Sequence, residues 1–248
     1  MLRTAVRSLL VTVAAAALVA GPSLADAAPA QRAGDPTFHM PEVGSCHVVT
    51  AKQQAAFSAS NRSVPCSSRH TSQTIASFRL RGKVDWKNTE ALWSKVARKC
   101  YPAMRAALGT DAKTRAMTSY DILWFGPTAA ERRQGAKWLR CDLVLRGTKR
   151  LLPLPTDDTP LVPVPVPDSV AMCQTDRWIT VCASPHTYRA VGAVRLKGKF
   201  PGSAKLERIA VRRCPDLVST RKWRYDAPSS QAWRHGDKVL VCLAKTRR

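Results

Sequence analysis

Acidic residues are scarce in this chain of 248 residues. Asp and Glu together number 17 against 40 Lys and Arg, a formal charge of +23. The imbalance says nothing of fold. It predicts repulsion from other cations and attraction to polyanions, both weakened by salt. The few carboxylates show no catalytic cluster, and Asp157-Asp158 sits in a proline-rich stretch that reads as solvated. No G-x-S-x-G, H-E-x-x-H or Ser-x-x-Lys site stands in a fitting context, which argues against a hydrolase. C-x-x-C pairs are missing, so a zinc site is disfavoured. Beyond Ala20 no apolar run is long enough to cross a bilayer, which takes about 20 residues.

What is present begins with a leader of recognisable layout. Arg3 and Arg7 precede the apolar run Leu9 to Ala20, Gly21-Pro22 breaks it, and small residues follow to Ala27. This reads as a secretory signal over residues 1–27, followed by a flexible leader over 28–42. The eight cysteines then fall in an oxidising compartment and read as disulfides.

The same stretch occurs twice. Cys66-Ser67-Ser68-Arg69-His70 returns as Cys182-Ala183-Ser184-Pro185-His186. Each copy leads into a strand-like run with basic residues, then a basic helix ending in Cys100 or Cys214. Each closes with proline, a polar helical turn, Gly135 or Gly236, and Cys141 or Cys242. An internal repeat decides the fold reading before other signals. The expectation is α+β: two tandem small disulfide-stabilised domains, each a few-stranded, mostly antiparallel sheet with one main helix. They span 43–150 and 171–248, joined by the proline-rich linker 151–170. Its Val-Pro alternation favours extended polyproline II, a spacer holding the halves apart.

Within the first domain, Leu92, Val96 and Cys100 share one helix face, with Asn88 or Thr89 as cap and Pro102 bending or ending the helix. Trp138, Arg140 and Asp142 alternate with Leu139, Cys141 and Leu143 on the last strand. In the second, a helix from Ser203 buries Leu206 and Ala210. Four cysteines per domain allow three pairings. The expected one is local: Cys46 with Cys66, Cys173 with Cys182, Cys100 with Cys141, and Cys214 with Cys242. Each bridge would stabilise a small domain by roughly 2–4 kcal/mol.

These residues resemble the septum formation family of high-GC Gram-positive bacteria. Its pattern is Gly-Asp-Cys, Cys-Ser-x-Pro-His, a cysteine at a helix end, then Trp-x-x-Gly-Asp-Arg and a last cysteine. Here the pieces are Gly44-Ser45-Cys46, the two Cys-to-His stretches, and Trp233-Arg234-His235-Gly236-Asp237-Lys238. The first domain departs from the last piece, with Arg132 at the tryptophan position and Gly135-Ala136-Lys137 closing it. The resemblance implies an extracytoplasmic α+β protein linked to cell division, and it brings no catalytic residues and no cofactor.

His70 and His186 occupy matching places and read as turn histidines bonded to backbone. The strongest functional signal is basic. Arg79, Arg81 and Lys83, and again Arg195, Lys197 and Lys199, alternate as if along a strand, so each trio should form a ridge on one face. Trp86, Trp178 and Trp223 are the surface tryptophans expected, Trp124, Trp138 and Trp233 the core ones. The leading expectation is a secreted or wall-associated binding module, not an enzyme. Its basic surface would take an anionic cell-envelope polymer, a lipid surface or an acidic protein. Export argues against nucleic acid. Two other readings stay open: an envelope enzyme using His70 or His186 as base, and a scaffold for division proteins.

Overall fold

The computed structural model describes residues 34–56, 58, 62–156 and 160–246. The signal over 1–27 and the pair Asp157-Asp158 lie outside them. In chain order the elements are β1 (Cys46–His47), α1 (Ala51–Gln54), β2 (Ser72–Arg79), α2 (Thr89–Leu108), α3 (Ala112–Ala116), β3 (Tyr120–Phe125), α4 (Ala129–Arg133), β4 (Trp138–Arg146) and β5 (Leu151–Leu152). There follow β6 (Met172–Gln174), β7 (Ile179–Val181), β8 (Tyr188–Arg195), α5 (Ser203–Arg213), β9 (Trp223–Asp226), α6 (Ser230–Arg234) and β10 (Val239–Lys245).

The strands form two sheets, one ordered β1-β2-β4-β3 with β5 on β4, the other β7-β6-β8-β10-β9. All named pairings are antiparallel. The register shifts at like places: between Thr74 and Ala76 on β2, and opposite Cys242 and Leu243 on β10. This is the mixed α+β architecture expected from the sequence. The four disulfides join the pairs expected too: Cys46–Cys66, Cys100–Cys141, Cys173–Cys182 and Cys214–Cys242.

Alternation on the central strands dictates what packs where. Leu139 and Cys141 of β4 meet Leu92, Val96 and Cys100 of α2 in one apolar cluster. The four-residue spacing on the helix and the two-residue spacing on the strand make this match. On the other face Val144 packs with Val49, Phe125 and Leu151. In the second sheet Leu240 and Cys242 meet Ala210 and Cys214 at the end of α5. Full burial of each such leucine, valine or phenylalanine contributes about 1.5–3 kcal/mol.

Helix α2 starts where expected: the Asn88 side chain accepts from the Ala91 amide. It does not stop at Pro102 but runs on to Leu108 and closes at Gly109, with φ of 56°. The missing proline donor is offset because Met104, Ala107 and Leu108 bury against Tyr120, Leu143 and Leu145.

Three other expectations are corrected. Residues 34–41, part of the leader, are tied down rather than flexible. The Gly34 amide donates to Gln134 O at 2.7 Å, Lys137 to Pro36 O at 2.9 Å, and Trp138 Nε1 to Phe38 O at 2.8 Å. The Pro36 and Phe38 carbonyls satisfy donors that would otherwise be orphaned at the start of β4.

The stretch 151–170 does not hold the halves apart. Leu151, Leu154, Val162 and Val170 are buried. Leu154 donates to His70 O, Val170 O accepts from Ser119, and Leu161 O accepts from Tyr120 Oη. A polyproline-like strand has carbonyls with no internal partner, and its valines are apolar. Both needs are met on the first sheet and not in water. The described chain accordingly belongs to one compact unit, Arg32–Arg248. Helix α3, not anticipated, reaches from the first sheet to the second, where Ala112, Ala116 and Met117 cover Met172, Val239, Val241 and Leu243.

The basic trios are not strand ridges. β2 ends at Arg79 and β8 at Arg195. One more ladder bond follows in each, Leu80 to Lys137 O and Leu196 to Lys238 O. Gly82 and Gly198 then turn the chain with φ of 69° and 80°. That left-handed conformation cannot continue a strand, so Arg81, Lys83, Lys197 and Lys199 lie in turns.

Candidate functional site

Two features carried the functional reading of the sequence, the histidine turns and the basic residues. Each turn holds its histidine by a bond to its own backbone. His70 Nδ1 donates to Ser68 O at 2.9 Å, and His186 Nδ1 donates to Ser184 O at 2.8 Å. A carbonyl only accepts, so the proton sits on Nδ1 in both rings. His70 is also buried.

Arg79, Arg81, Lys83, Arg195, Lys197 and Lys199 are all exposed, and none enters an ion pair among the described residues. They are two clusters of cations at matching strand ends. Of the tryptophans, Trp138 and Trp233 are buried and Trp178 is 56% exposed. Trp124, Trp86 and Trp223 are half-buried.

The Trp233 to Lys238 segment is built around its tryptophan and glycine. Trp233 Nε1 donates to Gly198 O at 3.0 Å, and Lys238 Nζ reaches the same carbonyl at 3.0 Å while lying over the indole. Gly236, with φ of 93°, lets the Asp237 amide fold back onto Ala232 O. Gly135 closes α4 the same way, with Ala136 bonded to Glu131 O. A left-handed residue just past a helix end is the usual way to satisfy its last carbonyls.

Asp237 is delivered by that turn into a cleft between the two sheets, with a volume of about 250 Å³. Trp93, Tyr101 and Arg105 of α2 line one side, and Asp226, Gly236 and Asp237 the other. Arg115 of α3, Asp121 of β3 and Arg146 of β4 also face it. Asp121 is paired with Arg146, whose Nε lies 2.6 Å from Oδ2. Burial, then Asp237 and Asp121, push the Asp226 carboxyl up to about 6. Burial raises Asp237 as well, against the Val239 amide and the nearby Arg115 and Arg105. Tyr101 is pushed up to about 12, first by burial and then by Asp237 and Asp121. Shifted groups in a cleft mark candidate functional sites.

Sequence reasoning singled out Gly236 and Asp237 but not the other residues of the cleft. A signal for part of the rest existed. Arg98, Tyr101 and Arg105 recur at helical spacing on the flank of α2 away from Leu92, Val96 and Cys100. Nothing in that spacing says that the second sheet comes to lie against it.

A second polar cluster is fully enclosed. Arg140 and Asp142 on β4 have no exposed side-chain surface, and Arg140 Nη2 lies 3.1 Å from Asp142 Oδ2. This is a contact of charges without hydrogen-bond alignment, since Nε, Nη1 and Nη2 of Arg140 all lack hydrogen-bond partners. Asp142 accepts from Thr74 Oγ1 at 3.0 Å and Ser72 Oγ at 3.2 Å. With that proton spent, Thr74 Oγ1 accepts from His47 Nε2 at 3.2 Å. Burial pulls the Arg140 pKa down, and Asp142 and Glu131 oppose it. The guanidinium also lies over Phe125 at 4.9 Å.

A protein-family model described as septum formation matches residues 43–242, most of the chain. The chain belongs to the septum formation family. No curated protein and no solved structure matches it. The family description points to a division-related role in the envelope. The four disulfides fit a septum formation protein that works outside the cytoplasm. No helix among the described residues is long and apolar enough to cross a membrane.

Proposed function

We propose that this septum formation protein is a non-enzymatic binding module of the cell envelope. Its exposed cations hold an anionic wall polymer, and that contact is its link to division. The observation that carries the reading is the uncompensated surface charge. The chain has 40 basic and 17 acidic residues, and the six cations at the ends of β2 and β8 are exposed and enter no ion pair among the described residues. Such a field concentrates polyanions at the surface.

We further take the two sheets as tandem copies of one unit. Their matching strand order and like-placed disulfides support this. Two copies present two cationic strand ends to one extended ligand. An enzyme using His70 or His186 as base has less support: His70 is buried, and among the described residues neither ring is hydrogen-bonded to a nucleophile.

The test is co-sedimentation of the purified protein with isolated wall material at low and high salt. Binding that falls steeply with salt is expected. Retention that ignores salt, or no retention at all, contradicts the proposal. Capture by anionic vesicles but not by wall material would move the ligand to the lipid surface.

A further inference from the structure

Arg98 and Arg105 stand seven residues apart on α2, with Tyr101 between them, so all three share one flank of the helix. The Tyr101 ring stacks on His235 at the end of α6, with centroids 5.7 Å apart and planes 7° from parallel. Arg105 Nη1 donates to His235 O at 2.9 Å. Arg234 is exposed beside it on the same turn. Arg105 thus touches His235 directly, Arg234 is its chain neighbour, and Arg98 is near enough to act on the imidazole through its charge.

None of the three enters an ion pair among the described residues. Each guanidinium carries five N–H donors, and the bond to His235 O occupies one donor of Arg105. Burial, then Arg234, Arg98 and Arg105, hold the His235 imidazole below its ordinary pKa, so the local field is positive. The opposing charge is Asp237, two residues on, which faces Arg105 from inside the cleft. Its raised carboxyl offsets only part of this excess.

We propose that Arg98, Arg105 and Arg234, set around the Tyr101–His235 stack, form the seat for a phosphate group of a phosphodiester-bearing envelope polymer. The inference rests on the reading of the protein as a binder of anionic wall polymer, and it names the site and the anion. Guanidinium forks match phosphate oxygens in pairs. Three forks from two helices offer more paired donors than the two oxygens of a carboxylate can accept, which suits the several oxygens of a phosphate better. The exposed large apolar side chains, Trp178, Val191, Val211 and Leu217 among them, all lie outside α2 and α6. A lipid-surface site would place such residues beside the cations. The cations at the ends of β2 and β8 supply long-range attraction, and this cluster supplies the specific contact.

The probe is poly(glycerol phosphate), with poly-glutamate as the carboxylate control and phosphatidylglycerol vesicles as the lipid control. Two charge-matched variants are compared: Arg98→Gln/Arg105→Gln/Arg234→Gln, and Arg79→Gln/Arg81→Gln/Lys83→Gln. The first should weaken poly(glycerol phosphate) binding about tenfold or more, the second by less than about threefold. In the unaltered protein the polymer should raise the His235 pKa followed by NMR. Because Arg105 also bonds the α6 end, Arg98→Gln/Arg234→Gln keeps that bond and should still lose about fivefold. Equal losses in the two triple variants would overturn the site while leaving the binding module standing. Equal binding of poly-glutamate would overturn the choice of phosphate, and preference for the vesicles would overturn the polymer. Failure of the unaltered protein to bind any of the three would overturn the binding reading itself.

Discussion

At the scale of single residues, the structure sets two carboxylates to opposite purposes. Asp226 is raised to about 6 by burial and by its acidic neighbours Asp237 and Asp121. Its ordinary value is near 3.8. Between these values the folded protein holds more protons than the unfolded chain. Stability therefore falls as pH rises through this window, and the penalty is complete above it. Because Asp226 keeps some solvent contact, screening reduces the effect to about 1–2 kcal/mol. Asp226→Asn should thus be more stable than the unaltered protein near neutral pH and lose that advantage near pH 4, as thermal melts at the two values would record. A gain that persists unchanged in acid would contradict the assignment. Asp142 is the reverse case, since it holds the enclosed Arg140. Asp142→Ala leaves a buried guanidinium without a counter-charge and should cost about 3–5 kcal/mol in denaturant unfolding. Replacing both, as Arg140→Met/Asp142→Leu, should recover most of it.

At the scale of elements, the legible parts are those set by local spacing. Leu92, Val96 and Cys100 name the inner face of α2, and Leu139 and Cys141 name the facing side of β4. Together they make the Cys100–Cys141 bridge readable in the sequence. Asn88 is legible as a cap for the same reason. What was not legible depends on segments far apart in sequence. Pro102 breaks a helix in isolation, but here Leu108 is buried in the first sheet's core and the helix continues. The valines of 151–170 look like a solvated rod until a sheet is supplied for them to cover. The basic trios failed for a local reason, the left-handed turns at Gly82 and Gly198. If residues 151–170 pack as described, Val162→Asp should destabilise the protein by about 2–4 kcal/mol. A free spacer would tolerate the change, and urea unfolding distinguishes the two.

At the scale of the whole molecule, the two sheets share one compact unit. Helix α3 follows α2 of the first sheet and packs on β8 and β10 of the second, while Arg105 and Tyr101 hold the end of α6. Heating the oxidised protein should therefore produce one cooperative calorimetric transition, with equal calorimetric and van't Hoff enthalpies. Two separated transitions would mean that the sheets fold independently. The cleft seen between them depends on this joint, because Tyr101 comes from one sheet's helix and Asp237 from the turn before β10. Its residues sit far apart in the chain, which is why the cleft is invisible to spacing rules while Gly236 and Asp237 were found through their motif. The most direct test of the central claim, that uncompensated surface charge is the binding agent, is the affinity of the oxidised protein for isolated wall material across a salt series. The account predicts a steep, linear fall of log affinity with log salt concentration, and a flat line would contradict it.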